Sequence, residues 1–154
     1  MPTIANYPMA AIEIGKHHKV QNALLIQIAD PDTDFIAPAN AAMFDDVLQL
    51  QFLDIGLDSQ QKYLNNGGNL EYIFSDIQAE LIAAALQRAF NKQQDVIVHC
   101  HAGICRSGAV TEAGLLMGFT LPSDYHYGRI PNTLVFSKLR KQLGFTFSFE
   151  GDLK

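Results

Sequence analysis

Residues 95–108 read DVIVHCHAGICRSG and carry the strongest structural signal in the chain. The first half is a short β-branched run, which is typical of a strand buried inside a parallel sheet. The second half is a glycine-containing loop that leads into AVTEAGLLM at 109–117, a run that we expect to be helical. A buried strand, a short loop and a helix in this order predict one unit of an α/β fold.

The loop between this strand and this helix is predicted to bind an anion. Backbone N–H groups converge in such a loop, and the helix dipole adds partial positive charge. Cys100 ends the strand, where this field favours the thiolate form of its side chain. Arg106 ends the loop, and the N–H fork of its guanidinium fits two oxygens of a phosphate. A thiolate beside a bound tetrahedral oxyanion indicates phosphoryl-transfer chemistry.

Two further strands are predicted before this unit. Residues 23–28 (ALLIQI) are followed by the turn cluster DPDTD, and residues 47–53 (VLQLQFL) alternate between apolar and glutamine side chains before Asp54. Residues 59–74 contain the turn signal NGGN and predict either a small hairpin or a surface loop.

A capping box predicts the start of a long helix. Ser75 and Gln78 have the spacing at which each side chain bonds the other's backbone, and the helix they open runs to about Asn91. Its apolar stripe is wide, which favours packing against a sheet, and comprises Ile77, Leu81, Ile82, Ala85, Leu86, Ala89 and Phe90.

The C-terminal part completes a single α/β domain over residues 1–154. A last helix is predicted at 132–143, just after Pro131, and the alternating tail at 144–154 fits a short edge strand. The order of elements predicts a central mixed, mostly parallel sheet of four to five strands flanked by helices.

Composition restricts the class of protein. The chain has 154 residues, of which 48% are hydrophobic and 18% charged, so it is expected to form one folded domain. Eleven Lys and Arg against 16 Asp and Glu give a net charge of −5, which predicts no nucleic-acid partner. The sequence shows no membrane span or signal peptide, and its two cysteines form no disulfide framework, so we expect a cytoplasmic protein without a membrane partner. The oligomeric state stays open.

Residues 99–108, HCHAGICRSG, resemble the H-C-x5-R-[ST]-G signature of the cysteine-dependent protein tyrosine and dual-specificity phosphatases. Every fixed position of that signature is present. More weakly, LQFLDI at 50–55 resembles the strand that ends in the family's general acid, and IPN at 130–132 resembles its Pro-Asn before the last helix. The resemblance is to the small bacterial or phage-like form of the group. It implies a dual-specificity-phosphatase-like fold and hydrolysis of phosphotyrosine, with or without phosphoserine and phosphothreonine, in a protein or peptide partner.

The resemblance also implies a role for each loop residue and no metal or cofactor. Cys100 would attack phosphorus and carry a phosphocysteine intermediate, and Ser107 would donate a hydrogen bond to its thiolate. His99 would help to hold the loop and favour that thiolate. The substrate oxygens would be bound by the loop residues His101, Ala102, Gly103, Ile104, Cys105 and Arg106.

The general acid has two candidates. Asp54 follows its predicted strand directly, as the acid does in the family, and is preferred. Asp58, in the sequence GLDS, is the alternative.

Cys105 leaves a second chemistry open. It is either a small apolar loop residue or a redox partner of Cys100. The second interpretation rests on a resemblance to the low-molecular-weight tyrosine phosphatases, whose loop also ends Ile-Cys-Arg-Ser. In that family, a sulfenic acid on the nucleophile can be trapped as a disulfide with the second cysteine.

Two alternative functions stay open. One is a phospho-ligand binding module without turnover. The other is a dithiol redox protein, such as an arsenate reductase, that would use Cys100 and Cys105. A zinc site is disfavoured because strand alternation aims His99 and Cys100 to opposite sides.

Overall fold

A computed structural model describes residues 1–144 of the chain. The strands are β1 (Ile4–Pro8), β2 (Ala23–Ala29), β3 (Phe44–Gln51) and β4 (Val96–Cys100). The helices are α1 (Met9–Ile14), α2 (Gln60–Asn65), α3 (Asp76–Asn91), α4 (Arg106–Met117) and α5 (Thr133–Gln142). The predicted edge strand in the tail lies, from Phe145 onward, outside the described residues.

The four described strands form one parallel sheet in the order β1-β4-β2-β3. This confirms the predicted α/β fold and the predicted number of strands, but the sheet is not mixed over residues 1–144. All its pairs are parallel because each strand returns to the same edge through a crossover connection. β4 lies inside the sheet and all five of its residues are buried, as its β-branched sequence predicts.

Two hydrophobic layers cover the sheet. The larger layer packs α3, α4 and α5 on one face, and Cys100 belongs to it. The smaller layer lies on the other face beneath α1, and includes Tyr7, Ile12 and Ile97. Because successive side chains of a strand point to opposite faces, Cys100 and its neighbour His99 face different layers.

The capping box of α3 forms as the sequence predicts. Ser75 Oγ accepts a hydrogen bond from the backbone N–H of Gln78 at 3.1 Å, and the Gln78 side chain accepts one from the Ser75 N–H at 3.0 Å. The predicted apolar stripe is wrong at its first turn, since Ile77 and Leu81 are exposed. Ala79 and Ala83 are buried in this part of the helix instead. The buried residues of α3 are Ala79, Ile82, Ala83, Ala85, Leu86 and Ala89.

Several element boundaries differ from those predicted. β1 and α1 were not predicted, because IANYP combines a buried polar residue with a proline and resembles a loop. Residues 59–74 form α2 and a 3₁₀ turn (Leu70–Tyr72) rather than a hairpin. β3 begins earlier than predicted, at Phe44, and α4 begins at Arg106 rather than Ala109. Over residues 1–144, no helix combines the length and apolar character that crossing a bilayer requires.

The substitution Ser75→Ala should lower the free energy of unfolding by about 1 kcal/mol, since it leaves helix N–H groups of α3 without their acceptor. Urea denaturation measures this change. Ser59→Ala is the matched control, because Ser59 precedes α2 without a side-chain cap. Equal losses for the two variants would contradict the assignment of capping energy to Ser75.

Candidate active site

The loop between β4 and α4 wraps around the sulfur of Cys100. The Gly103 N–H donates a hydrogen bond to Cys100 Sγ at 3.2 Å, and Ser107 Oγ lies 3.1 Å from the same atom. Cys100 is 2% exposed and Ser107 is fully buried. The loop therefore brings two hydrogen-bonding groups to the sulfur, as the sequence predicts for Ser107.

The carbonyl groups of the loop are bonded to the surrounding scaffold. His101 O accepts from Met9 N at 3.2 Å and Ile104 O from Ile130 N at 3.2 Å. Gly103 O accepts from Asn6 Nδ2 at 2.6 Å and Cys105 O from Asn132 N at 2.9 Å. In a trans peptide, the C=O and the following N–H point in opposite directions. The N–H group of the next residue in each of these four peptides therefore points away from the scaffold and toward the inside of the loop, where an oxyanion would bind. These N–H groups belong to Ala102, Ile104, Cys105 and Arg106.

Gly103 is the one loop position at which only glycine fits. Its φ is +76°, in the region that L side chains rarely adopt. A Cβ at this position would also collide with the backbone of Tyr7 and Pro8 at the end of β1. The loop consequently crosses the end of β1 in direct backbone contact.

The guanidinium of Arg106 is anchored on one side. Arg106 is 4% exposed, and its Nη1 donates to Asp30 Oδ1 at 2.8 Å and to the Phe52 carbonyl at 2.7 Å. Its Nε is buried and has no hydrogen-bond partner within residues 1–144. An arginine held through one terminal nitrogen keeps Nε and the other terminal nitrogen for the two-pronged binding of an oxyanion.

Asp30 is a site residue that the sequence analysis missed. It was interpreted as part of a turn cluster, whereas the structure places it directly after β2, the neighbour of β4. The carboxyl ends of neighbouring parallel strands share one edge of the sheet, and ligands of α/β folds bind there. An acidic residue at the end of a buried strand was the signal available in the sequence.

The two candidate acids occupy different places. Both carboxylates are exposed, but Asp54 lines a cleft of about 420 Å³ together with Cys100 and Arg106, whereas Asp58 does not line it. Asp54 Oδ1 accepts a hydrogen bond from Asn132 Nδ2 at 2.7 Å. The structure thus brings Asp54 to the predicted nucleophile, and it leaves Asp58 outside. Tyr63 of α2, which was not predicted, lines the same cleft.

Cys105 is a half-buried free thiol at the edge of this cleft. Burial raises the pKa of its thiol, and the nearby Asp54 carboxylate raises that pKa further. Cys105 is therefore a neutral thiol at neutral pH, and a neutral thiol is a poor nucleophile.

His99 is an uncharged residue of the opposite layer. Burial lowers the pKa of its imidazole to about 4, and a contact with the Cys100 backbone offsets only part of that effect. Neither ring nitrogen has a hydrogen bond of ordinary geometry within the described residues. At neutral pH, His99 supplies bulk and a dipole behind Cys100 rather than a positive charge. No group of three or more His, Cys, Asp and Glu side chains in residues 1–144 is arranged to hold a metal ion.

Comparison with solved structures shows a likeness in fold. No protein-family model and no curated protein sequence matches the chain. The crystal structure of human tyrosine phosphatase-like serine/threonine/tyrosine-interacting protein matches with a TM-score of 0.57 and 17% sequence identity. The match covers 92% of this chain and 91% of that one. The chain therefore has the tyrosine phosphatase-like fold, of the dual-specificity type. The bacterial or phage-like affiliation stays a prediction.

The buried His99 makes folding stability sensitive to acid. Between pH 6.5 and 4 the unfolded chain binds a proton at this imidazole and the folded chain does not, so stability falls as the pH falls through this range. The loss attributable to His99 should be about 2 to 3 kcal/mol between pH 7 and pH 4.5.

Urea unfolding at the two pH values should therefore show a smaller difference for His99→Gln than for the wild type. His126→Gln, at an exposed loop position, is the control. An undiminished difference in His99→Gln would show that other groups, such as His18, whose pKa burial also lowers, cause the acid sensitivity.

Proposed function

We propose that this protein is a cysteine-dependent phosphatase that hydrolyses phosphotyrosine in proteins or peptides, with phosphoserine and phosphothreonine as the dual-specificity extension. The observation that carries the proposal is the arrangement of Arg106. Its guanidinium is fixed through Nη1, its Nε has no hydrogen-bond partner among residues 1–144, and it lines the same cleft as the sulfur of Cys100. An unpaired, buried cationic donor beside a nucleophile fits a phosphoryl group better than an uncharged ligand.

In the first step, Cys100 Sγ attacks phosphorus as the bond to the leaving phenolic oxygen breaks. Asp54, in its protonated form, gives its proton to that oxygen. The inward amides and Arg106 stabilise the charge on the three non-bridging oxygens. Because these groups supply the stabilisation, the proposed reaction needs no metal or cofactor.

In the second step, water attacks the phosphocysteine and the S–P bond breaks. The Asp54 carboxylate accepts the proton of the attacking water. The hydroxyl of Ser107, 3.1 Å from the sulfur, donates a hydrogen bond to the departing thiolate. Asn132 supports both steps by holding the Asp54 carboxylate at 2.7 Å.

A thiolate nucleophile also bears on where the protein works. We propose a reducing compartment, the cytoplasm, because oxidation of Cys100 would remove the nucleophile.

A phospho-ligand binding module is the second candidate, since a phosphatase-like fold suits binding without turnover equally well. The anchored Arg106 and the inward amides would bind phosphate in either case. The dithiol redox alternative is disfavoured by Cys105, whose raised pKa opposes the thiolate that a resolving cysteine needs.

Hydrolysis of p-nitrophenyl phosphate in EDTA, at pH 5–8, tests the proposal. Wild-type protein should turn over without metal, and Cys100→Ser should lose at least about a thousandfold in kcat because the nucleophile is gone. Tungstate should still bind the variant. Wild-type protein that binds tungstate with reduced Cys100 but shows no turnover would establish the binding module instead. Reduction of arsenate that consumes a dithiol reductant and is lost in Cys105→Ser would establish the redox protein.

A pair of variants tests the general acid. With a phosphotyrosine peptide, Asp54→Asn should lower kcat by roughly 100- to 10,000-fold, because the tyrosine oxygen is a poor leaving group without a proton. The loss should be smaller with p-nitrophenyl phosphate, whose leaving group needs little protonation. Asp58→Asn, at the exposed position outside the cleft, should stay within about twofold of the wild type. The reverse pattern would transfer the role to Asp58.

A further inference from the structure

Asn6 is a fully buried polar residue in β1 whose side chain reaches the candidate active-site loop. Its Nδ2 donates to the Gly103 carbonyl at 2.6 Å and to the Gly128 carbonyl at 3.3 Å. Its Oδ1 accepts from the hydroxyl of Tyr125 at 2.6 Å. A buried amide is expensive to desolvate unless it is fully bonded, and these contacts satisfy both ends of it.

The direction of these hydrogen bonds is fixed by chemistry. Carbonyl oxygens only accept, so the Asn6 amide must present its nitrogen to Gly103 and Gly128 and its oxygen to Tyr125. The hydroxyl of Tyr125 is the donor on this side, and its single proton is shared between Asn6 Oδ1 at 2.6 Å and Asn6 O at 2.7 Å. Burial raises the pKa of Tyr125 to about 12, so the hydroxyl keeps its proton throughout the neutral range.

Tyr125 is tied to Asn6 at the backbone as well. Its hydroxyl lies 2.7 Å from Asn6 O and accepts from the Asn6 N–H at 3.0 Å. This phenol therefore occupies the outer edge of β1, the side that no other strand covers in the described sheet. It fixes the backbone and the side chain of Asn6 together.

The peptide between Gly103 and Ile104 is the target of this network. While its carbonyl points outward to Asn6, its N–H points into the loop. Gly103 lacks the Cβ that would limit the rotation of this peptide, and it already adopts a positive φ. A rotated peptide would present a carbonyl oxygen to the bound anion, and a repulsive acceptor would replace an attractive donor.

We propose that Asn6 and Tyr125 are positioning residues that hold the Gly103 carbonyl outward and thereby aim the Ile104 N–H at the phosphoryl oxygens. The inference rests on the proposed phosphatase function for its consequence in turnover, but its effect on oxyanion binding is separate from turnover. Neither residue touches the substrate. Both act through one peptide of the loop.

Tyr125→Phe is the decisive variant, because it removes one hydroxyl and keeps the ring. The dissociation constant for tungstate, measured by calorimetry, should rise about tenfold, and kcat/KM for p-nitrophenyl phosphate should fall by a similar factor, since one inward donor is weakened. Tyr127→Phe is the matched control. Tyr127 belongs to the same aromatic cluster, with its ring centroid 6.0 Å from that of Tyr125, but it is 42% exposed and makes no hydrogen bond to the loop within residues 1–144.

Folding stability, measured in parallel, separates positioning from a structural role. A merely structural Tyr125 would lower the unfolding midpoint of Tyr125→Phe but leave the tungstate affinity of the folded protein unchanged, and that result would overturn the inference. Asn6→Asp is a second variant, which places an acceptor against the Gly103 carbonyl. The tungstate affinity of folded Asn6→Asp should be lower than that of Tyr125→Phe. A tungstate affinity of this variant equal to that of the wild type would contradict the inference.

The wild type separates the two proposals. Wild-type protein that binds tungstate but does not turn over would refute the phosphatase. The ratio of the tungstate dissociation constants of Tyr125→Phe and the wild type would still decide the role of Asn6 and Tyr125. Wild-type protein that neither binds nor turns over would refute both.

Discussion

The loop between β4 and α4, which we propose binds an anion, is held in its conformation by hydrogen-bond donors that come from outside it. Backbone amides can converge on an anion only if the carbonyls of the same peptides point elsewhere and find partners there. β1 and the start of α1 provide two of these partners, through Asn6 and Met9, and the segment before α5 provides two more, through Ile130 and Asn132. The edge strand and the last loop are therefore as necessary to the site as the loop sequence itself.

Asn132 shows how one residue can connect three parts of such a site. Its backbone N–H bonds the Cys105 carbonyl, its Nδ2 bonds Asp54, and its Oδ1 caps α5 through the Val135 N–H. The carboxylate, the loop and the last helix are consequently fixed relative to one another. A shift of α5 would therefore displace Asp54 and the loop between β4 and α4 together, which couples the packing of this helix to the geometry of the candidate site.

The parts of the structure that the sequence predicts well are those determined by near neighbours. The β4 strand, its loop and the capping box of α3 are each specified within about ten residues, so local pattern was sufficient. Asn6 and Asp30 were missed because their partners lie 97 and 76 residues away. The position of Asp30 after a buried strand indicates an edge of the sheet but not which side chain it meets there, and Asn6 carries no comparable local signal. The stripe of α3 was misjudged for a related reason. Burial along α3 depends on which elements pack against each position, and among residues 1–144 Ala79 is buried while Ile77 is exposed.

The pairing of Arg106 with Asp30 and the Phe52 carbonyl has a further consequence for recognition. A free arginine side chain samples many rotamers, and restricting them costs up to about 2 kcal/mol of conformational entropy. Here the chain incurs that cost during folding, because Nη1 is already held by two acceptors. Under the proposed function, an arriving oxyanion would meet a preorganised guanidinium. The enthalpy of its new hydrogen bonds would then not be offset by the ordering of this side chain.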